Sequence, residues 1–276
     1  MEPLLPPGLY IVASPIGNLG DLSPRAAETL RRASLVLAED KRVTAKLLAH
    51  AGAKAPMATY HDHSSDADRR RALEAISAGP VALVSDAGTP LISDPGYKLV
   101  RAVRSAGLPV FTIPGPCAAI AALTIAGLPT DRFLFAGFLP PKAKARADAI
   151  AELAEVRATL IFYDSGPRLA ESLAALASGL GPREAAVVRE ISKLHEECVT
   201  GSLADLAERY SAAPPKGEIV IVVGPPAAQE TGAEEIDAAL RDQLATDSPS
   251  RAAAIVAERL GVPRKRVYAR ALELSR

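Results

Sequence analysis

Residues 85–96 read SDAGTPLISDPG, and they continue an apolar run of strand length, Pro80–Ser85. A short run rich in valine and bounded by turn-forming residues is typical of a buried strand. Open α/β sheets bind their ligands at the carboxyl ends of such strands, and a glycine such as Gly88 lets the backbone approach a ligand closely. The stretch therefore predicts an α/β fold and marks the centre of a ligand site.

Two further loops of this kind follow other predicted strands. Ser14–Asp21 reads SPIGNLGD after the run Leu9–Ala13, and Pro114–Ala119 reads PGPCAA after Pro109–Ile113. None of the three loops contains GxGxxG or GxxxxGK[ST], which disfavours a classical dinucleotide or ATP site. Each loop alone is most simply a structural turn, but three at one sheet edge favour a ligand site.

Strand-length runs alternate with helical patterns along the first half of the chain, which predicts a mostly parallel sheet covered by helices. Ser23 and Pro24 form a helix start, with serine as the N-cap and proline at the first helical position. The predicted strands are Leu9–Ala13, Leu35–Ala38, Pro80–Ser85, Pro109–Ile113, Arg132–Leu139, Thr159–Tyr163, Ala185–Glu190 and Glu218–Val223. The predicted helices are Pro24–Ala33, Thr44–Ala51, Pro95–Ala106, Ala118–Ala126, Lys142–Val156, Arg168–Ser178 and Leu203–Tyr210.

Two changes in composition predict the domain boundaries. One lies near Gly127–Asp131, and the other is a linker at Pro225–Gly232, where proline and small residues replace the apolar pattern. We expect an N-terminal α/β domain over residues 1–128, a C-terminal α/β domain over 129–226 and a small tail over 233–276.

The tail has the pattern of a helix-turn-helix. Ser250–Leu260 and Arg264–Leu274 have helical spacing, and Gly261-Val262-Pro263 forms the turn between them. From Pro249 to Arg276 there are seven Arg/Lys and two Glu, a local charge of +5 (7 − 2). This pattern fits a contact with nucleic acid, and it fits equally a packing hairpin with a solvated basic face.

Composition limits the class of protein more than its activity. The 276 residues include 32 Lys+Arg and 32 Asp+Glu. This balanced net charge is no evidence for or against a polyanionic partner. The two cysteines, Cys117 and Cys198, form no CxxC, which indicates a reducing compartment without a disulfide framework or zinc cluster. The first residues lack the pattern of a signal peptide, and no apolar run reaches the length of a membrane span. We expect a cytoplasmic protein with no membrane contact.

Several polar residues outside the glycine-rich loops could also take part in chemistry. Residues 38–44 read AEDKRVT, and their carboxylates could serve as bases or hold the basic residues; the alternative is a helix start at Asp40. His61-Asp62-His63 has metal-ligand character but no further cluster beside it, so we expect no metal site. Lys193 and His195 follow the strand that ends at Glu190 and face either the cleft or solvent.

Taken together, the loops and the AEDKRVT segment resemble the bacterial ribosomal RNA small-subunit methyltransferase I family. The stretches that carry the resemblance are SPIGNLGD, EDKRVT (39–44), SDAGTPLISDPG, PGPCAA, GLPTDRFLFAG (127–137), GFLPPK (137–142), LIFY (160–163) and KGEIV (216–220). The match is collinear from Leu9 to Val223, and the basic tail is also found in many members.

This resemblance implies a fold and an activity. The implied fold is that of the tetrapyrrole methylases: two α/β domains with the cofactor in the cleft between them, here followed by the helix-turn-helix, in a homodimer. The implied activity is 2′-O-methylation of a cytidine in the decoding centre of 16S ribosomal RNA, with S-adenosyl-L-methionine as cofactor and the small ribosomal subunit as partner.

The resemblance also implies roles for particular residues. The expected cofactor-binding residues are Pro15, Asp86, Ala87, Gly88, Thr89, Pro114, Gly115, Pro116, Cys117, Ala118, Phe162 and Tyr163. The candidate catalytic residues are Glu39, Asp40 and Lys193, because a ribose hydroxyl needs a base to accept its proton. The expected substrate-binding residues are Lys41, Arg42 and Thr44.

The chain departs from the family pattern at three places. Lys41 stands where threonine is common, Pro167 stands in a DSGPR segment where many members have the histidine of ESPHR, and His195 stands where tryptophan is frequent. Two alternatives remain: an enzyme of the same fold that methylates a tetrapyrrole, and a non-catalytic RNA-binding assembly factor. The SDAGTPLISDPG and EDKRVT segments and the basic tail disfavour the first alternative, and the intact set of cofactor loops disfavours the second.

Overall fold

The structure is a computed structural model that describes residues 5–61, 64–227 and 233–275. The strands are β1 (Gly8–Val12), β2 (Leu35–Ala38), β3 (Met57–Thr59), β4 (Pro80–Val84), β5 (Val110–Ile113), β6 (Phe133–Phe138), β7 (Thr159–Ser165), β8 (Glu184–Arg189), β9 (Glu197–Ser202) and β10 (Glu218–Val223). The helices are α1 (Pro24–Arg32), α2 (Lys41–Ala51), α3 (Asp66–Ala78), α4 (Tyr97–Ser105), α5 (Ala118–Ile125), α6 (Ala143–Ala151), α7 (Gly166–Leu180), α8 (Leu203–Ser211), α9 (Ala233–Leu244), α10 (Pro249–Leu260) and α11 (Arg264–Leu274). They form two compact units, residues 1–226 and 227–276.

The first sheet is parallel throughout and has the strand order β3-β2-β4-β1-β5. Alternate residues of β1 face opposite cores: Tyr10 and Val12 pack toward α1 and α2, whereas Leu9 and Ile11 pack toward α3 and α4. Helices therefore cover both faces, which confirms the parallel α/β arrangement predicted for this half. Parallel strands end at one edge, so the loops after β1, β2, β4 and β5 meet there.

The second sheet has the order β6-β7-β10-β8-β9 and is mixed. Only β6 and β7 are parallel; β10 pairs antiparallel with both β7 and β8, and β8 pairs antiparallel with β9. One face packs against α5 and the other forms a core with α6, α7 and α8. The expected 128/129 boundary falls between α5 and β6, but α5, which precedes it, packs against the second sheet.

Capping residues place the helices that border the site. Ser23 accepts the Ala26 N–H at 3.1 Å and Pro24 is the first residue of α1, as predicted. The predicted helix at Thr44 in fact begins at Lys41, because Asp40 caps it by accepting the Arg42 N–H at 2.7 Å. The carboxyl group of Asp40 thus takes the helix-start role that was one of its two interpretations.

Four elements went unpredicted: β3, α3, β9 and α9. Strand β3 has only three residues and β9 reads ECVTGS, so neither shows an apolar alternation. Helix α6 ends at Ala151 rather than Val156. In the described part of the chain no helix is both long and apolar enough to span a membrane.

The tail unit contains three helices, α9, α10 and α11. Helix α9 supplies Ile236, Ala239 and Leu240 to a core shared with α10 and α11, whereas Leu272 of α11 is exposed. The charge of the unit is divided between its helices rather than uniformly basic. Helix α9 carries four acidic residues and one arginine, and α11 carries four basic residues and one glutamate. Arg270 joins them by donating to both carboxylate oxygens of Asp237 at 2.6 Å.

Candidate functional site

A cavity of about 360 Å³, here called the first cavity, lies between the carboxyl edge of the first sheet and the second sheet. The loops after β1, β2, β4 and β5 line one side, and the other side consists of β7, β10 and the loop after β8. The predicted residues that line it are Glu39, Asp86, Ala87, Gly88, Thr89, Cys117, Ala118, Tyr163 and Lys193. Residues from both sheets are thus brought to one site, as the cleft hypothesis requires.

Other predicted residues lie near the first cavity without lining it. Pro114, Gly115 and Pro116 form the turn before α5, where Thr89 donates its hydroxyl to the Pro116 carbonyl at 2.9 Å and ties two loops together. Phe162 is fully buried in the opposite face of the second sheet, because successive residues of a strand point to opposite faces. Phe162 packs the core, and its neighbour Tyr163 reaches the cavity.

Tyr163 connects the two halves of the cavity wall. Its hydroxyl accepts the Ala119 N–H at 3.2 Å in the first turn of α5, where backbone amides have no partner within the helix. Its ring contacts Phe135 and Phe138 edge-on, with centroids 4.8 and 5.6 Å away. Burial, and then the neighbouring Cys117, raise the pKa of the Tyr163 phenol. The hydroxyl therefore stays protonated and neutral.

Carboxylates dominate the charge of the first cavity. Six acidic residues line it against a single lysine, Lys193; the acidic residues are Glu39, Asp86, Asp94, Asp164, Glu190 and Glu218. Burial raises the pKa of the Asp94 carboxyl, a hydrogen bond from Ser85 opposes this, and the charges of Asp86 and Glu218 add to it. Such a site favours a cationic ligand, because carboxylates attract positive charge strongly where water is partly excluded.

Sequence reasoning missed four of these carboxylates. Asp94 belongs to the SDAGTPLISDPG stretch and could have been found from it. Asp164 is the penultimate residue of β7, and its Oδ2 is buried with no hydrogen-bond partner among the described residues. Glu190 and Glu218 reach the cavity only because β8 and β10 are antiparallel neighbours, which no local motif revealed.

Backbone strain concentrates in two loops of the first cavity. Among the described residues, the non-glycine residues with positive φ are Leu91 (74°), Ser93 (62°), Glu190 (51°) and Ser192 (67°). One pair lies in the loop after β4 and the other in the loop after β8. Left-handed backbone in bulky residues is uncommon, costs about 1–3 kcal/mol each and clusters at functional sites.

The loop after β8 crosses the cleft to the loop after β1. The stem of Lys193 lies over Gly17, where an added Cβ would come within 2.5 Å of the lysine Cε. Ser192 donates its hydroxyl to the Asp21 carboxylate, and the Lys193 ammonium lies 3.1 Å from Glu190. A side chain at position 17 would therefore displace the Lys193 stem from its place against the loop after β1.

A second, smaller cavity of about 230 Å³ adjoins the first and shares Asp86 with it. Pro15 and Thr44, both predicted site residues, line it. The backbone of Ser14 pairs with that of Gly88 in both directions, at 2.8 and 3.2 Å, beside Asp86. Asp86 Oδ1 accepts the Asp40 N–H at 3.1 Å and so fixes the start of α2 at the shared wall.

The basic residues at the start of α2 are exposed and line neither cavity. Arg42 donates to both oxygens of Asp40, at 2.7 to 3.2 Å. This bond, with the cap bond from the Arg42 N–H, lowers the pKa of Asp40 to about 2. Lys41 makes no ion pair within the described residues. Lys41 and Arg42 are thus exposed at the start of α2, the helix from which Thr44 lines the second cavity.

The metal hypothesis concerned His61-Asp62-His63, of which Asp62 and His63 lie outside the described residues. Elsewhere in residues 5–61, 64–227 and 233–275, no group of three or more His, Cys, Asp or Glu side chains is placed to hold a metal ion.

Comparison with known proteins matches two family models to the chain. The Tetrapyrrole (Corrin/Porphyrin) Methylases model covers residues 8–207, and the RsmI C-terminal HTH domain model covers residues 230–275. The second match confirms the helix-turn-helix predicted in the tail.

Curated relatives match over nearly the whole chain. The Ribosomal RNA small subunit methyltransferase I of Erythrobacter litoralis is 58% identical over 99% of this chain and 97% of its own. That of Mesorhizobium japonicum is 48% identical over 98% and 93%. Among solved structures, Uroporphyrin-III C-methyl transferase from Thermus thermophilus, complexed with S-adenyl homocysteine, has a TM-score of 0.54 at 22% identity, over 79% of this chain and 97% of its own. The structural match shows the shared fold.

Proposed function

The chain belongs to the tetrapyrrole (corrin/porphyrin) methylase family, within the ribosomal RNA small subunit methyltransferase I group, and we propose that it methylates the 2′-hydroxyl of a cytidine in the decoding centre of 16S ribosomal RNA. The cofactor is S-adenosyl-L-methionine. One observation carries the proposal. The first cavity is lined on one side by the loops that carry the family resemblance and on the other by the second sheet, and the space between them attracts cations.

The first cavity fits this cofactor in both shape and charge. Gly88 has φ 77°, a left-handed conformation that favours glycine, and a Cβ there would lie 3.3 Å from Ile16 and 3.7 Å from the Pro116 carbonyl, against the loops that line the cavity. The cavity carboxylates complement a sulfonium and an ammonium group. When bound, the cofactor supplies an activated methyl group. Its binding residues would be Asp86, Ala87, Gly88, Thr89, Cys117, Ala118 and Tyr163, with the turn Pro114, Gly115 and Pro116 and the nearby Pro15 as support.

The acceptor hydroxyl must lose its proton as the oxygen–carbon bond forms and the carbon–sulfur bond breaks. We assign acceptance of that proton to a carboxylate of the first cavity, Glu39 or Asp94. Asp40 is a weaker base, because Arg42 and the helix cap hold its pKa at about 2. The ammonium group of Lys193 is ion-paired with Glu190, and an ammonium donates hydrogen bonds but accepts none. The proposed role of Lys193 is therefore to hold the cleft closed.

Ribosomal RNA would meet the enzyme at its positively charged groups. We assign phosphate contacts to Lys41 and Arg42 at the start of α2, and to the basic residues of α10 and α11 in the tail. The small ribosomal subunit is the proposed partner, in the cytoplasm. A homodimer is proposed as well, since Ile120, Ile125, Phe133 and Phe138 are exposed apolar side chains on α5 and the edge strand β6.

The test is methyl transfer from labelled S-adenosyl-L-methionine to three acceptors: small subunits from cells that lack this activity, naked 16S RNA, and uroporphyrinogen or a precorrin. We expect label in the RNA, resistant to alkaline cleavage at a single cytidine because its 2′-hydroxyl is blocked. Label in the tetrapyrrole alone would establish the rival enzymatic activity. Cofactor binding without transfer to any acceptor would favour the non-catalytic assembly factor.

A further inference from the structure

The second cavity contains a buried hydroxyl that nothing in the described structure uses. Thr44 is 1% exposed and lines the cavity, and its Oγ1 has no hydrogen-bond partner among the described residues. A buried hydroxyl without a partner is costly, so its presence requires an explanation. A ligand that hydrogen-bonds to it would supply one.

The neighbouring hydroxyl groups all have partners. Ser14 Oγ lies 3.3 Å from the Ser85 carbonyl and 3.4 Å from that of Gly88, and Ser85 Oγ lies 3.3 Å from the Ala87 carbonyl. A helical threonine commonly bonds to the carbonyl four residues earlier, as Thr29 does with Arg25 at 2.8 Å. Thr44 departs from this habit, and its hydroxyl stays available on the cavity side of α2.

The size and lining of the second cavity suit one ring system. At about 230 Å³ it is smaller than the sites that enclose a whole drug-sized ligand, which start at about 300 Å³. Leu19, Val43 and Leu47 provide apolar wall, and Thr44 provides a polar group within it. Enzymes that hold an unstacked nucleobase combine the same features: apolar contact with its faces and hydrogen bonds to its edge.

Charge separates the ligands of the two cavities. Six carboxylates against one lysine suit the first cavity to the cationic cofactor. The second cavity has one carboxylate, that of Asp86, and one lysine, Lys46, in its wall, with Lys41 nearby on the same helix; neither lysine makes an ion pair within the described residues. A nucleotide brings a phosphate with its base, so the lysines favour an acceptor nucleotide over the cofactor's adenosine.

We propose that the second cavity receives the unstacked base of the acceptor nucleotide, with Thr44 Oγ1 as its hydrogen-bond partner. Because the two cavities meet at Asp86, a base held in the second would place its ribose at the wall shared with the first. The inference rests on the proposed RNA methyltransferase function and adds the subsite that recognises the base.

The test compares Thr44→Val, which removes the hydroxyl at nearly constant shape, with Thr44→Ser, which retains it. Thr29→Val is the matched control, since it removes a buried helical threonine hydroxyl that already has a partner. For Thr44→Val we expect the KM for small subunits to rise about 3- to 10-fold, as for one lost neutral hydrogen bond, with unchanged cofactor affinity by calorimetry. Its Tm should be equal or higher, because an unsatisfied group is removed. Thr44→Ser should restore the KM, and Thr29→Val should lower Tm and leave the KM unchanged.

Two results would overturn the inference. Weaker cofactor binding by Thr44→Val would assign the cavity to the adenine of the cofactor. A lower Tm with an unchanged KM would make Thr44 purely structural. If the wild type methylates no RNA, the proposed function fails separately, and binding of cytidine 5′-monophosphate, followed by NMR, still decides the subsite: binding by the wild type that Thr44→Val weakens supports it, and equal or absent binding refutes it.

Discussion

Asp86 and Asp40 are joined by a hydrogen bond: the Asp86 carboxylate accepts the Asp40 N–H at 3.1 Å. The bond connects the loop after β4 to the residue that caps α2, and Asp86 also lines both cavities. One carboxylate therefore borders the proposed cofactor site while it fixes the helix that borders the proposed acceptor site.

Replacing Asp86 should separate these two roles. Asp86→Ala loses both the charge and the bond to Asp40, and we expect cofactor binding to weaken by about 1–3 kcal/mol, the cost of a lost buried polar contact. Asp86→Asn keeps an acceptor for the Asp40 N–H and should preserve the position of α2 while losing the charge. Calorimetry with S-adenosyl-L-methionine measures the effect, with Asp66→Ala on α3 as a surface control. Unchanged affinity in folded Asp86→Ala protein would remove this residue from the cofactor site.

Glu39 and Asp40 are adjacent carboxylates for which we expect different outcomes. Glu39→Gln should lower kcat by about 10²–10⁴-fold if Glu39 is the base, with cofactor affinity retained. Asp40→Asn should have a smaller effect, because asparagine also caps helices and Asp40 is occupied with Arg42. Arg42→Ala should likewise spare cofactor binding and reduce methyl transfer. Single-turnover rates with saturating cofactor measure the difference, and a loss of cofactor affinity in Glu39→Gln would place Glu39 on the cofactor side.

Asp94 predicts a pH dependence of stability as well as of activity. Because burial raises its pKa, the folded protein favours the protonated carboxyl. The stability that this proton provides is present at low pH and is lost as pH rises through the raised pKa. Asp94→Asn should therefore have a higher Tm than the wild type at neutral pH, and the difference should shrink as pH falls toward the ordinary aspartate range. Melting curves from about pH 4 to about pH 8 test this.

The catalytic part of the Asp94 prediction has its own measurement. If Asp94 accepts the proton, wild-type kcat/KM should fall as pH drops through the raised pKa, and Asp94→Asn should be slow at every pH. A Tm difference independent of pH would show that the Asp94 charge is not penalised by folding. A normal acidic limb in Asp94→Asn would leave Glu39 as the base.

The tail should contribute to RNA binding without contributing to chemistry. Deleting residues 232–276 should leave cofactor affinity unchanged and weaken binding to small subunits, most strongly at low salt, because phosphate contacts release counterions. A double variant, Arg259→Ala with Lys265→Ala, should reduce the salt dependence by about 0.7–0.9 per lost phosphate contact. Neither side chain forms an ion pair within the described residues. Arg241→Ala on the acidic helix α9 is the control, and wild-type methylation by the truncated enzyme across a salt series would make the tail a structural appendage.

Local patterns predicted four of the five strands of the first sheet, because β1, β2, β4 and β5 are apolar runs bounded by turn-forming residues, whereas β3 has only three residues and no such signal. Ser23 and Pro24 begin α1, and the apolar run Leu35–Ala38 is β2 without change. The second sheet was less accessible, since antiparallel pairing of β10 with both β7 and β8 depends on contacts distant in sequence. In the tail, α9 was not predicted, and its core residues Ile236 and Leu240 were therefore missed as well.

The candidate site was predictable to the same degree. Motif loops gave Asp86, Gly88 and Cys117 because backbone turns have short-range signatures. Phe162 and Tyr163 were proposed together, and only the alternation of β7 between two covered faces assigns Tyr163 to the cavity. The partner of a hydroxyl such as that of Thr44 is a property of the packed molecule and has no signature in the sequence.

The left-handed backbone of Ser93 and Ser192 creates a trade-off between thermal stability and activity in this protein. Glycine at either position would relieve strain of about 1–3 kcal/mol at an entropic cost of about 0.5–1 kcal/mol, which favours the folded state most at Ser93, because glycine at Ser192 would also lose the hydroxyl bond to Asp21. Laboratory evolution toward a hardier enzyme, with no demand for methyl transfer, would therefore enrich glycine at these two serines. Variants selected in that way would have more flexible loops on both sides of the cleft. They would gain thermal stability while they lose methyltransferase activity.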